Sequence, residues 1–261
     1  MLTEKRIMNI FQQTGAILHG HFVYTSGRHG EVYINKDAIY PFQHIHRLCD
    51  GLAKKINRPF LVDVDAVVAP ALGGIVLSRL MADRITEFDW NDNTAVMAIY
   101  AEKNGDRFVI RRGYDRLIAC RKVLVVDDIM TTGGSVKKVV EAVRLCRAEV
   151  CGAAVLVNRG GITAEDLGVP KLVSLQEWRF ESWEENDCLL CKQGVPVNTD
   201  VGKGREFLTR QAVKDVTQAA NMAVDSLFNR SVTSRSAIRT KEQLGVVING
   251  LLQDDERKDK K

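Results

Sequence analysis

No run of 18 apolar residues occurs in this chain, and its opening, MLTEKRIMNIFQQ, interleaves charged with apolar residues instead of setting a charged leader before an apolar core. A transmembrane span and a secretory signal are therefore not expected, and the chain reads as a soluble, cytoplasmic protein without a membrane partner. Charge of one sign is lacking as well. The 37 basic and 33 acidic residues are mixed to a formal net charge of +4, with no long basic block and no interleaved aromatics, which leaves nucleic acid without a footprint. Internal repeats are missing, and the one low-complexity segment is the terminal QDDERKDKK, read as a solvated tail. Neither GxxxxGK[ST] nor a GxGxxG opening a helix is found, which disfavours a nucleotide triphosphatase or a dinucleotide enzyme. Of six cysteines, Cys49, Cys120, Cys146 and Cys151 are scattered among apolar neighbours, a pattern of reduced thiols and not of a disulfide framework.

What is present is enough apolar material for a core, 45% of 261 residues. Short apolar runs at 65–70, 94–101, 122–128 and 149–158 alternate with helical patterns. Ile75, Leu77, Leu80, Met81 and Ile85 form one helical apolar face, and Val136, Val139, Val140 and Val143 another. The expected class is α/β, a central parallel sheet flanked by helices, with ligand loops at its carboxyl edge. Residues 1–60 read as a separate helix and a Gly- and aromatic-rich hood, 61–197 as the core, and 198–261 as a helical extension.

The segment VLVVDDIMTTGGS, from Val123 to Ser135, carries the chemistry. A buried strand that ends in Asp127 and Asp128 presents two carboxylates whose desolvation is costly without hydroxyls, a metal or water as partners. Thr131, Thr132, Gly133, Gly134 and Ser135 follow as a turn whose N–H groups can converge on an anion at the start of the next helix. Sugar hydroxyls for the acids and a phosphate for the turn describe a site for ribose 5-phosphate. A helix cap needs one acid, not two followed by a glycine turn.

These residues resemble the phosphoribosyl pyrophosphate signature of type I phosphoribosyltransferases. FVYTSGRHGEVYINKD, VVAPALGGIVLS, VLVNRGG and DCLLCKQGVPV resemble, in order, segments of the orotate phosphoribosyltransferases, over roughly residues 10–197. The resemblance implies magnesium, held by substrate phosphates and water without direct protein ligation. It implies that Asp127, Asp128, Ile129, Met130 and Thr131 to Ser135 bind phosphoribosyl pyrophosphate, with Ala71, Leu72, Gly73 and Gly74 against its pyrophosphate. Lys103, Asp127 and Asp128 would be the catalytic residues, Lys103 also contacting phosphoribosyl pyrophosphate at its leaving group from a mobile loop at 101–116 that reaches a neighbouring active site in a homodimer. Thr25, Tyr33, Ile34, Thr131 and Arg159 would bind orotate. Thr25 and Gly73 stand where other members carry lysine, and Asn158 opens an NRGG in place of a DRQ-like sequence, so a purine or uracil remains an alternative base. A non-catalytic regulator that senses phosphoribosyl pyrophosphate is the alternative of another class.

Weaker signals are read blandly. Cys188 and Cys191 form a CxxC without a second pair at usable spacing, and are expected to be reduced thiols in a turn. His19, His21, His44 and His46 form two HxH pairs, expected at the solvent or the core edge. Trp178 and Trp183 are expected to pack the carboxyl-terminal lobe or a subunit contact.

Overall fold

The computed structural model describes residues 2–41, 43–56, 58–61, 63–88 and 95–229. It divides into two compact units, the first made of Met1–His21 and His29–Val195, the second of Phe22–Arg28 and Pro196–Lys261.

The first unit holds strands β1 (Ile17–Val23), most of it, and β2 (His29–Ile34), which pair as a two-stranded sheet. A six-stranded sheet follows, built from β3 (Ala66–Pro70), β4 (Met97–Asn104), β5 (Arg107–Val109), β6 (Lys122–Met130), β7 (Glu149–Asn158) and β8 (Leu172–Glu177). Its order is β5-β4-β3-β6-β7-β8, parallel throughout except for the β4–β5 hairpin. Around it lie α1 (Glu4–Gln13), α2 (His44–Ile56), α3 (Arg58–Leu61), α4 (Gly74–Phe88), α5 (Tyr114–Leu117), α6 (Gly134–Leu145), α7 (Ala164–Leu167) and α8 (Leu189–Lys192).

The strands are apolar on both faces because helices cover both. Val67, Ala69, Leu124, Val126, Ala154 and Leu156 share one core with Ile7, Phe11, Leu48, Leu52, Leu77 and Met81 from α1, α2 and α4. Their strand neighbours Ala66, Val68, Val123, Val125, Ala153 and Val155 share the other with Val136, Val139, Val140 and Val143 of α6. This two-residue alternation is the strand period itself. Leu124 is fully buried, and truncating it to Ala costs about 2–5 kcal/mol.

Four of the predicted strands are found, and the pattern missed β5 and β8, which are three and six residues long. It also missed α2, where Ile45, Leu48, Cys49, Leu52 and Ile56 make a buried helical face. Trp178 corrects its expectation, since it lies edge-on to Phe11, ring centroids 4.8 Å apart, within the sheet core. The segment at 101–116, read as a mobile loop or else a solvated hairpin, is the β4–β5 hairpin plus a helical turn. Gly105 turns it with positive φ, Phe108 and Ile110 are buried in the α6-side core, and Arg112 pairs with Glu102 at 2.6 Å.

In the second unit, α9 (Gly204–Asn229) begins beside Lys203, whose N–H donates to the Val23 carbonyl at 2.8 Å, and Phe207 is buried under Arg210. Thr25 is exposed in the turn closed by Tyr24 N–H on the Arg28 carbonyl. The predicted charged tail lies outside the described residues. Among the described residues no helix is long and apolar enough to cross a membrane.

Candidate active site

The strand order reverses between β3 and β6, and the carboxyl ends of these two strands frame the site. β3 pairs with β6 only as far as Val68 opposite Val125, whereas β6 continues along β7 to Met130 opposite Asn158. Asp127 and Asp128 therefore sit in the last turn of pairing, past the reach of β3, where the Ala71–Gly74 turn takes its place. A Cβ built on Gly73 would lie 3.3 Å from Asp128 Oδ2.

Both acids are buried, Asp127 to 6% and Asp128 to 1% exposure, and their partners differ. Asp128 accepts from the Ile129 N–H at 2.7 Å and from the Tyr40 hydroxyl at 2.8 Å, and pairs with Lys36 Nζ at 3.4 Å. Asp127 accepts from the Asp128 N–H at 2.9 Å. Desolvation, then the neighbouring Asp128 charge, lifts the Asp127 carboxyl well above the usual carboxylate range. Burial works against the Lys36 ammonium, but the charges of Asp128 and Asp127 outweigh it and hold its pKa above the usual lysine value. Burial, followed by the Asp128 charge, raises the Tyr40 phenol too.

Lys36 and Tyr40 were not singled out in the sequence. Lys36 Nζ stands 3.0 Å from where a Cβ of Gly73 would be, so its ammonium lies against the 71–74 turn. The signal lay in INKD, which ends the hood segment, but only the fold lays that segment against the 71–74 turn.

Beyond Met130 the turn reaches α6 through Gly133, whose φ of 73° is left-handed and whose would-be Cβ meets Leu167 and Ile162. Thr131, Thr132 and Ser135 are exposed around it, so the turn presents hydroxyls and the first N–H groups of a 12-residue helix. Its floor is Gly160, where a Cβ would run into the Thr131 carbonyl. The preceding Asn158 donates from Nδ2 to the Ile162 carbonyl at 2.8 Å and accepts from the Ile162 N–H at 3.1 Å. An aspartate could not do both, which explains the NRGG strand end as a locked loop against the turn.

Arg159 N–H donates to the Met130 carbonyl at 2.7 Å, and its Nη2 lies 3.5 Å from the Val32 carbonyl on β2, with the guanidinium 5.5 Å from the Phe180 ring centroid. The residue is thus held beside the strand that carries half-buried Tyr33 and buried Ile34. Lys103 is exposed on β4 opposite Phe108. Ala71 and Gly73 are half-buried, Gly74 is buried, and Leu72 is 84% exposed at the turn. The fold thus places Gly73 beside Asp128 and ties the Arg159 backbone to Met130 at the start of the glycine turn, while Lys103 stands out on its hairpin and Thr25 belongs to the second unit.

Residues 35–187 match the family model described as the phosphoribosyl transferase domain. Over 196 residues the chain is 37% identical to the orotate phosphoribosyltransferase of Pelotomaculum thermopropionicum, covering 75% of this chain and 95% of that one. It is 32% identical over 197 residues to that of Caldanaerobacter subterraneus, covering 75% and 96%. The crystal structure of orotate phosphoribosyltransferase from Aeropyrum pernix superposes with a TM-score of 0.50 at 27% identity, over 72% of this chain and 99% of that one.

Proposed function

Because the chain belongs to the phosphoribosyl transferase domain family, we propose that its sheet-edge site transfers the 5-phosphoribosyl group of phosphoribosyl pyrophosphate to orotate, giving orotidine 5-monophosphate and pyrophosphate for pyrimidine synthesis. The observation that carries the reading is the buried Asp127–Asp128 pair set immediately before a glycine turn at the start of α6. Buried carboxylates recover their solvation from sugar hydroxyls, and the turn offers N–H donors and a helix dipole to the 5-phosphate on the same sugar.

In the reaction the C1–oxygen bond to pyrophosphate breaks while a base nitrogen gives up its proton and bonds C1, through a transition state with oxocarbenium character. The protein contributes position and field. Asp127 and Asp128 fix the ribose and place negative charge near the developing cation. Lys36, beside Gly73, places a cation at the pyrophosphate turn, and Lys103 adds a second when its hairpin approaches. Arg159 offers a planar fork to the orotate carboxylate or imide edge, with Tyr33 and Ile34 beside the ring. Magnesium is read as an ion that the substrate phosphates and water would carry to this edge. When bound it neutralises the leaving pyrophosphate.

We place the enzyme in the cytoplasm as a homodimer, with the 101–116 hairpin near the partner's site; light scattering tests the dimer. The activity is tested by following orotate absorbance with phosphoribosyl pyrophosphate and magnesium, beside hypoxanthine, adenine and uracil. Magnesium-dependent turnover of orotate is expected. Turnover of another base would move the assignment, and binding of phosphoribosyl pyrophosphate without any turnover would replace the enzyme by a sensor.

A further inference from the structure

Away from the sheet edge, the two ends of the chain's first unit meet at a cluster that the transfer reaction does not use. His21, at the end of the unit's share of β1, and His29, opening β2, face Cys188 and Cys191 at α8. Their four ligand atoms lie within 4.8 Å of one another, and all but Cys191 are buried. The sequence offered a CxxC with no second pair; the fold supplies that pair as two histidines with seven residues between them. His19, the partner of His21 in its HxH, is exposed, and His44 and His46 lie on helix α2, so neither HxH acts as a unit.

We propose that this cluster is a structural zinc site with a Cys2His2 ligand set. Zinc at about 2.0 Å from nitrogen and about 2.3 Å from sulfur sets tetrahedral ligand separations of about 3.3 Å between nitrogens and about 3.5 Å between nitrogen and sulfur. Here His21 Nε2 and His29 Nδ1 are 2.9 Å apart. The nitrogen–sulfur separations are 3.5 Å from Cys188 to His21, 3.6 Å from Cys191 to His21 and 3.3 Å from Cys191 to His29.

Hydrogen bonding alone does not account for this geometry. His21 Nδ1 lies 2.8 Å from the Val195 carbonyl, which only accepts, so that nitrogen carries the proton and Nε2 presents a lone pair. One lone pair takes one hydrogen, yet three candidate partners converge on it. A metal takes all of them at once. The carbonyl bond is also the contact that orients a ligating imidazole, and the Cys191 N–H on Cys188 Sγ, at 3.5 Å, does the same for the thiolate. Charge closes as well: two thiols release their protons on binding, and Zn2+ with two thiolates and two neutral imidazoles is neutral, so burial is tolerable.

The site would tie the β1–β2 hairpin to the chain 167 residues later, next to the backbone pairing of His29 with Trp183. The same hairpin carries Tyr33, Ile34 and the Val32 carbonyl that meets Arg159. Zinc thereby acts as a positioning element for the base side of the pocket.

The test is metal analysis of the reduced, full-length, tag-free protein by mass spectrometry, with cobalt titration of chelator-treated protein. One zinc per chain that survives dialysis is expected, absent from His21→Ala and from Cys188→Ser with Cys191→Ser, and retained in Cys146→Ser. Cobalt should give the intense visible bands of tetrahedral thiolate coordination, a readout on the unaltered chain that does not depend on whether the variants fold. Protein that carries no stoichiometric metal and gives no such bands overturns the proposal, and iron in place of zinc overturns the assignment of the ion.

Discussion

Two buried polar clusters lie in the first unit, and their electrostatics are opposite in kind. At the sheet edge, Asp127 and Asp128 are set side by side and Lys36 stands 3.4 Å from Asp128, so burial and the Asp128 charge make ionisation of Asp127 costly. At the hairpin, two thiols and two imidazoles surround a point where a divalent cation would leave no net charge. On the proposed function, the first arrangement is poor for stability and good for a substrate that brings hydroxyls and a cationic transition state; the second is good for stability and offers a substrate nothing. In that reading function is placed where a buried charge is costly, and cohesion where it is satisfied.

The largest effect that separates them is on stability. Chelating the hairpin site, or replacing Cys188 and Cys191 by serine, should cost more than about 4 kcal/mol, as loss of a metal does, measured by thermal unfolding with and without added zinc. Replacing Asp128 by asparagine should leave the melting temperature near that of the parent and lower kcat/KM by about 10- to 100-fold, the worth of one charge-assisted contact. Equal losses of stability in the two variants would erase the contrast.

The two clusters also differ in how far the sequence reveals them. Asp127 and Asp128 adjoin one another and a glycine turn, so a single segment of 13 residues carries the proposed sugar and phosphate chemistry. The hairpin ligands are split between residues 21–29 and 188–191, and long-range contacts such as the bridge between His29 and Trp183 and the bond from His21 to the Val195 carbonyl bring them together. Lys36 escaped notice for the same reason: its role depends on lying against Gly73, 37 residues on, and nothing local marks that approach. The strands of the sheet were legible because each is buried on both faces and reads as an apolar run, whereas β5 is too short to show a period. The NRGG departure at Asn158 was visible but unexplained until the fold showed its side chain closing the loop to Ile162.

A sharper comparison moves charge within the edge site. Lys36→Ala should lower kcat/KM about 10-fold, mostly through weaker capture of phosphoribosyl pyrophosphate, the value of one ion contact in a partly buried site. Adding Gly73→Lys to Lys36→Ala should recover much of the loss, because the space beside Asp128 is then free and the ammonium returns from the other side. Failure of that rescue in a folded double variant would mean that Lys36 acts on Asp128 and not on the substrate.

The smallest effect is the most diagnostic of strain. Asp127 has its folded pKa raised, by burial first and by Asp128 next, so the native state holds a proton that the unfolded chain releases. Stability from this group is therefore complete below the unfolded carboxylate value of about 4 and falls as pH rises through the raised folded value. Asp127→Asn keeps an oxygen for the Asp128 N–H and removes the charge. It should stabilise the substrate-free protein by about 1–2 kcal/mol at pH 8, with the gain shrinking toward zero by about pH 4, while activity falls. Unfolding measured in denaturant across that range reads the sign directly: a gain that grows toward acid pH would mean that Asp127 is a stabilised carboxylate, and the edge site would then be no more strained than the hairpin.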